Sequence, residues 1–169
     1  TNMTGILRER HGDRLLKVYG QRPPHLAAAF DASVAMRADA PAVIDGGRRL
    51  SYRELDAMSS AVAGGLAADG VQRGDRVAVI LPNGLEAAVL AIALARLGAI
   101  LVPLGMNLRM AEIRHVFDDA TPAAVIFDVS RARELPAPGV SGPVIERRFG
   151  VGGDASGADR RFADLMRGT

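Results

Sequence analysis

Hydrophobic residues alternate between two patterns along this chain, and the alternation predicts an α/β domain. Short unbroken runs of β-branched and aliphatic residues, which are typical of strands buried on both faces, follow stretches with apolar residues at helical spacing. The predicted strands are 77–81, 100–102 and 123–127. The predicted helices are 26–36, 51–70, 83–97 and 110–119. Strands that alternate with helices indicate a layered fold with a mostly parallel sheet flanked by helices.

Capping signals mark two of the helix starts. Ser51 is followed three residues later by Glu54, which is the capping-box pattern, and Asn83 with Glu86 repeats it. Gly70 is a natural left-handed stop for the first of these helices, and Gly98 closes the second. We therefore expect Ser51 and Asn83 to be N-caps.

Composition divides the chain into three parts. Residues 1–24 form a charged lead segment, 25–130 form the α/β core, and 131–169 are rich in Gly, Pro and Ser. A small hairpin is predicted within the core, at 42–45 and 48–50.

We expect the last part to be largely irregular. Its stretch 149–157 is interpreted as a flexible surface loop, because it is rich in glycine and lacks a dinucleotide fingerprint. One weak strand is predicted near Val144 and a helix at 160–166.

The composition excludes several classes of site. The 169 residues contain no cysteine, which excludes disulfides, thiolate metal sites, Fe–S clusters and a cysteine nucleophile. Aromatic residues make up only 4 %, too few for a base-stacking surface. The net charge is +2 and the arginines are interleaved with acidic residues, so no nucleic-acid partner is predicted.

No complete active site can be assembled from the motifs present. Lys17 is the only lysine and no glycine precedes it, so a P-loop is excluded. The sequence has no G-x-S-x-G elbow. His11, His25 and His115 are scattered, so no metal site is predicted.

Nothing in the sequence predicts insertion into a membrane. No apolar run is free of Arg, Gly, Pro or Glu over a membrane-spanning length, and the lead segment has no signal-peptide core. We expect a cytoplasmic protein without a transmembrane segment.

Five short motifs occur in order along the core. They are Leu-Ser-Tyr-Arg-Glu-Leu at 50–55, Gly-Val and Gly-Asp-Arg-Val-Ala-Val within 70–79, Leu-Pro-Asn at 81–83, Leu-Ala-Arg-Leu-Gly-Ala with Val-Pro-Leu within 94–104, and the helix and strand within 112–126. As a set, over residues 26–127, they resemble the adenylate-forming (AMP-binding) superfamily, of the acyl-CoA synthetase and aryl-CoA ligase type, although no single motif carries the resemblance alone.

The resemblance implies a two-step reaction for a parent enzyme. A carboxylate and ATP give an acyl-adenylate and pyrophosphate, and the sulfur of CoA then displaces AMP. ATP, Mg²⁺ and CoA would be the cofactors of that parent, and none is expected to bind this segment tightly. The family's phosphate loop, magnesium ligand and mobile lid are expected beyond Thr169. The segment is thus expected to be the incomplete first portion of the large N-terminal domain, inactive alone, with the remaining ligase chain or a complementing subunit as its partner and a carboxylic acid as the parent's substrate.

One loop is a candidate for ligand contact by the same resemblance. Some CoA ligases of this family carry a basic residue near the CoA nucleotide in the loop that corresponds to 105–109. The family commonly has Arg where this chain has Asn107, and the arginine here is Arg109. Asn107 and Arg109 are therefore the candidate CoA contacts. The alternative is structural, with Asn107 in a turn or at a helix cap and Arg109 solvated.

Two further alternatives concern the whole chain. A non-catalytic scaffold or interaction domain derived from a ligase, or one chain of a split ligase, would show the same motifs. The amino-acid-activating branch usually has a Tyr-Pro pair after the second named motif, where this chain has Leu104-Gly105-Met106. This difference favours an acyl or aryl acid as the substrate.

Overall fold

A computed structural model describes residues 5–136, 145, 147–153 and 160–166. Its elements in chain order are β1 Ile6–His11, β2 Arg14–Tyr19, α1 Leu26–Arg37, β3 Pro41–Asp45, β4 Arg48–Ser51, α2 Tyr52–Ala68, β5 Arg76–Ile80, α3 Leu85–Leu97, β6 Ile100–Pro103, α4 Met110–Ala120, β7 Ala124–Asp128, a 3₁₀ helix Val129–Glu134, β8 Arg147–Val151, β9 Arg160–Arg161 and α5 Phe162–Leu165.

The main sheet is parallel throughout its described strands, in the order β6-β5-β7-β8-β9. Helices cover both of its faces. Residues from α1, α2, α3 and α5 pack on one face, and α4 packs on the other. The predicted α/β class with a mostly parallel sheet is confirmed.

Strand β5 shows why an unbroken apolar run is needed in the middle of this sheet. Its neighbours β6 and β7 pair with it on both sides. Val77 and Val79 enter the cluster under α2 and α3, whereas Ala78 and Ile80 enter the cluster under α4. All four side chains are buried, as the sequence predicts.

Strand β6 departs from its predicted burial. The run 100–102 was expected to be a buried strand, but Ile100 is 50 % exposed and Leu101 is 39 % exposed. The reason is its position at the edge of the described sheet, where it pairs with β5 alone. Local sequence cannot indicate how many neighbours a strand has.

The N-terminus of α2 has the predicted capping box. The Glu54 N–H donates to Ser51 Oγ at 3.2 Å, and the Ser51 N–H donates to Glu54 Oε2 at 2.8 Å. These two bonds satisfy backbone donors that the first helical turn leaves without partners.

The predicted cap of α3 is wrong. The N-cap is Gly84 instead of Asn83, and its backbone is extended, with φ 172°. The Leu85 N–H donates to Oδ2 of Asp45, 3.3 Å away. A carboxylate from the β3–β4 hairpin thus takes the role expected of Asn83. Glu86 pairs with Arg48 instead of completing a capping box.

The lead segment contains an antiparallel hairpin that the pattern analysis missed. Strands β1 and β2 pair from Ile6 with Tyr19 to His11 with Arg14, around Gly12-Asp13. Gly12 has φ +63°, which glycine adopts without strain. Five large apolar side chains of the hairpin are exposed: Ile6, Leu7, Leu15, Leu16 and Tyr19.

The expectation of an irregular final segment is wrong where the structure describes it. Residues 149–151, interpreted as part of a surface loop, belong to β8, and Phe149 is only 1 % exposed because β7 and β9 enclose its strand. Residues 154–157 and the strand predicted near Val144 lie outside the described residues. The predicted helix at 160–166 is confirmed for 162–165, preceded by the two residues of β9. The boundaries at residues 24 and 130 stay predictions.

In the portions of the chain that the structure describes, no helix combines the length and apolarity that crossing a membrane requires.

Candidate functional site

Both residues predicted to bind a ligand, Asn107 and Arg109, lie in the loop that follows β6. Parallel strands end at the same edge of a sheet, so the loop after β6 and the 3₁₀ helix after β7 lie at one edge, with β5 between their two strands. Together they form an open cleft of about 460 Å³, lined by Asn107, Arg109, Met110, Arg131 and Glu134. The structure therefore brings Asn107 and Arg109 to one cleft.

The loop that holds Asn107 is a tight turn. The Leu104 N–H donates to the Val79 carbonyl at 2.8 Å, and the Leu108 N–H donates to the Gly105 carbonyl at 3.2 Å. A Cβ at Gly105 would lie 2.9 Å from Asn107 Oδ1, so the Asn107 amide packs closely over Gly105. Asn107 thus lies within a turn, as the structural alternative predicts.

Arg109 is the N-cap of α4, the position that sequence analysis considered for Asn107. Its N–H donates to Glu112 Oε2 at 2.8 Å, which fixes its backbone while its side chain remains exposed. The amino end of an 11-residue helix carries partial positive charge. The guanidinium and the helix end therefore bring positive charge to the same side of the cleft.

Arg131 was missed by sequence analysis, and it connects the two walls of the cleft. Its Nη2 donates to the Leu108 carbonyl at 2.5 Å, and its Nη1 lies 3.4 Å from Glu134 Oε1. The side chain is only 18 % exposed. Within the described residues, Arg131 Nε and Glu134 Oε2 are buried atoms without a hydrogen-bond partner. The sequence signal that could have identified Arg131 is its position, a cationic residue just after the buried strand β7.

This donor set suits an anionic group. Two guanidiniums, one amide and a helix amino end face one carboxylate, and guanidiniums match the geometry of phosphate oxygens. The five lining side chains include no cysteine, histidine, serine or lysine. Across the described residues, no cluster of three acidic or histidine side chains is placed to hold a metal ion.

A second polar cluster stabilises the neighbouring helix α3. Arg48 Nη2 lies 2.8 Å from Asp45 Oδ2, and Arg48 Nη1 lies 2.9 Å from Glu86 Oε1. Hydrogen bonds from Arg48 hold the pKa of both carboxyl groups below their ordinary values, and the carboxylates raise the pKa of Arg48. Both carboxylates therefore stay ionised below their ordinary pKa, and the stability they contribute, which is fully present above that pKa, is lost as pH falls through the lowered values.

The part of the chain that matches known proteins includes most of the main sheet and the Asn107–Arg109 cleft. The profile of the family described as AMP-binding enzyme matches residues 30–150. The long-chain-fatty-acid–CoA ligase FadD13 of Mycobacterium tuberculosis is 32 % identical over 96 residues, which are 52 % of this chain and 19 % of that protein. The dimodular nonribosomal peptide synthase of Bacillus subtilis is 32 % identical over 69 % of this chain and 5 % of its own length.

A solved structure from Rhodopseudomonas palustris, provisionally assigned as a long-chain-fatty-acid CoA ligase, superposes with a TM-score of 0.74 at 34 % identity, and covers 84 % of this chain and 36 % of that one. The chain thus spans well under half the length of each of these proteins. Since the family profile matches most of the chain and the parallel sheet is shared, the chain belongs to the AMP-binding enzyme family.

Proposed function

We propose that this chain is the N-terminal portion of an ATP-dependent acyl- or aryl-CoA synthetase. In the proposed reaction of the parent, a carboxylate reacts with ATP to give an acyl-adenylate and pyrophosphate, and CoA then takes the acyl group as a thioester. ATP, Mg²⁺ and CoA are the proposed cofactors, and a carboxylic acid is the substrate. The segment by itself is proposed to be inactive, with the remainder of the ligase or a complementing subunit supplying the catalytic residues.

The Asn107–Arg109 cleft is the observation that carries this proposal. In the proposal, Arg109 and the amino end of α4 bind a phosphate group of CoA, while Arg131 holds the loop through the Leu108 carbonyl. These donors suit a phosphate group, because the Arg109 guanidinium is exposed while the Arg109 backbone is fixed by its hydrogen bond to Glu112. Bound there, CoA would supply the thiol that accepts the acyl group.

A carrier-protein thiol is the alternative acceptor. The similarity to a peptide synthase favours it, and the absence of a Tyr-Pro pair at 104–106 favours CoA. A non-catalytic scaffold domain is the second alternative, since the described residues line no complete catalytic centre. Both alternatives predict that Arg109 has no effect on the use of CoA.

Replacing Arg109 by Ala in the parent enzyme is expected to raise the KM for CoA about tenfold, the effect of losing one charge-assisted hydrogen bond. Carboxylate-dependent exchange of pyrophosphate into ATP, which reports the first half-reaction, should be unchanged. The two half-reactions are measured separately, by isotope exchange and by thioester formation.

The matched control is Arg133→Ala, which removes an exposed arginine that lies in the nearby 3₁₀ helix and does not line the cleft. An Arg109 variant with the KM for CoA of the Arg133 variant would contradict the proposed binding role. Loss of pyrophosphate exchange as well would assign Arg109 to stability instead.

A further inference from the structure

A second cleft lies at the amino edge of the sheet, away from the loops that follow the strands. It has a volume of about 430 Å³ and is formed where the end of α2 meets the beginnings of β8 and β9. Its lining residues are Ala68, Asp69, Gly70, Arg147, Arg148, Phe149 and Arg160. The guanidiniums of Arg147 and Arg160 both bond Asp69 there, whereas the Arg148 guanidinium lies over Phe127 on the α4 side of the sheet.

The carboxylate organises this cleft. The Asp69 side chain is only 8 % exposed, and its Oδ1 accepts a hydrogen bond from Arg160 Nη1. The Asp69 carbonyl, at the end of α2, accepts from Arg147 Nε at 2.5 Å. The partial negative charge at the carboxyl end of a helix favours both arginines.

One atom of the cleft is left without a partner. Asp69 Oδ2 is buried and accepts no hydrogen bond among the residues that the structure describes. A buried carboxylate oxygen without a hydrogen-bond partner is energetically costly. A ligand that donates a hydrogen bond to this oxygen therefore binds more favourably. A ligand that suits this cleft therefore carries negative charge for the guanidiniums and a hydroxyl for Asp69.

Arg147 and Arg160 are held in place before any ligand arrives, because each donates a hydrogen bond to Asp69. Arg148 anchors the strand of Arg147 from the other face, by donating from Nη1 to the Pro136 carbonyl at 3.0 Å. Gly70, with φ +84°, leaves room for Arg147, since a Cβ there would lie 2.9 Å from Arg147 Nη2. Positively charged groups fixed in this way bind an anion with little loss of side-chain entropy.

We propose that this cleft is an oxyanion site for a phosphate that bears or adjoins a hydroxyl group. In the bound state, oxygens of the phosphate accept from Arg147 and Arg160, and the hydroxyl donates to Asp69 Oδ2. Phosphate keeps an O–H at neutral pH while carrying negative charge, whereas sulfate has no proton to donate. The site does not depend on the proposed CoA cleft, because the two share no lining residue.

Selectivity for phosphate over sulfate tests the proposal on the unmodified chain. Inorganic phosphate and sulfate are titrated at neutral pH and constant ionic strength, and the amide resonances of Gly70 and Phe149 are followed by NMR. We expect phosphate to bind about tenfold more tightly than sulfate, the effect of one hydrogen bond to a charged group. Equal affinity for the two anions, or shifts that are absent from both resonances, would overturn the proposal.

Substitutions test separately the contact of the hydroxyl with Asp69 and the contacts of the phosphate oxygens with the arginines. Asp69→Asn is expected to remove the preference for phosphate, because the amide can donate to either anion. Arg147→Gln should weaken both anions several-fold, whereas Arg49→Gln, which removes an exposed arginine outside the cleft, should weaken neither. Equal effects of Arg147→Gln and Arg49→Gln would mean attraction by net charge only and would contradict the site.

Glycerol phosphate distinguishes the two sources of such a group. Tighter binding of glycerol phosphate than of inorganic phosphate would assign the site to a phosphomonoester with a neighbouring hydroxyl. Weaker binding would assign it to free phosphate. Thermal unfolding without ligand shows whether each variant, Asp69→Asn included, is folded. If Asp69→Asn does not fold, the comparison of phosphate with sulfate on the unmodified chain still tests the proposal.

Discussion

Replacing Phe127 by Ala is expected to lower the free energy of unfolding by about 3–5 kcal/mol, the range for a buried aromatic side chain. Phe127 is fully buried on the α4 side of the sheet, in a cluster with Ile113, Phe117 and Leu135. Its ring also lies beneath the guanidinium of Arg148. Truncation leaves a cavity that the central strand β7 cannot close, because β5 and β8 pair with it on both sides.

Urea unfolding followed by circular dichroism measures this change. Ile44→Ala, at a position that is 62 % exposed, is the control and should change stability little. The Phe127 variant should also affect the Asn107–Arg109 cleft, because Asp128 caps the 3₁₀ helix that carries Arg131. A loss below about 1 kcal/mol would contradict the described packing of β7, since deletion of a buried ring costs more than that.

Arg96→Ala is the second substitution with a large expected effect, about 2–3 kcal/mol. The guanidinium of Arg96 joins three helices: Nη2 lies 2.9 Å from Asp31 Oδ1 and bonds the Asp56 carboxylate, and Nη1 donates to the Asp56 carbonyl at 3.2 Å. The Ser60 hydroxyl is a further partner, and the Phe30 ring lies 5.4 Å from the guanidinium carbon. The side chain is 18 % exposed, so these contacts are only partly screened by water.

Arg96→Lys keeps the charge but not the planar fork, and it should recover only part of the loss. Arg53→Ala is the matched control, because Arg53 pairs with Asp39 where both side chains are largely exposed. Its effect is expected to be much smaller. Equal losses from Arg96→Ala and Arg53→Ala in urea unfolding would show that Arg96 does not hold the helices together.

The parts of this fold that were predicted correctly are those encoded within a few residues. The run from Val77 to Ile80 must be a buried strand because each face of it is apolar, and Ser51 reaches Glu54 within one helical turn. The hairpin at Gly12-Asp13 had a local signal too, since Gly-Asp is a typical two-residue hairpin turn. The charged residues of β1, which interrupt any alternation of apolar and polar positions, made the strand hard to predict.

The features that were missed depend on residues far apart in the chain. Asp45 caps a helix that begins 40 residues later, and Arg131 reaches the Leu108 carbonyl across 23 residues. Neither contact leaves a periodic pattern in the sequence. The position of Arg109 at the start of a helix could be inferred, but its cleft exists only because β6 and β7 end at the same edge.

The identity of the thiol that accepts the acyl group is the most direct test of the proposed function. In the proposed enzyme, the Asn107–Arg109 cleft binds the phosphate-bearing part of CoA, remote from the sulfur that reacts. Binding of such a remote part positions the reacting atom and raises the rate with the intact substrate. Pantetheine has the same thiol and lacks the nucleotide and its phosphates.

The most direct measurement is therefore thioester formation by the parent enzyme with CoA and with pantetheine at equal concentrations. We predict a kcat/KM at least about tenfold higher for CoA, and we predict that Arg109→Ala removes most of this preference without lowering the rate with pantetheine. Equal use of CoA and pantetheine by the unmodified enzyme, or transfer only to a carrier-protein thiol, would contradict the proposed CoA ligase.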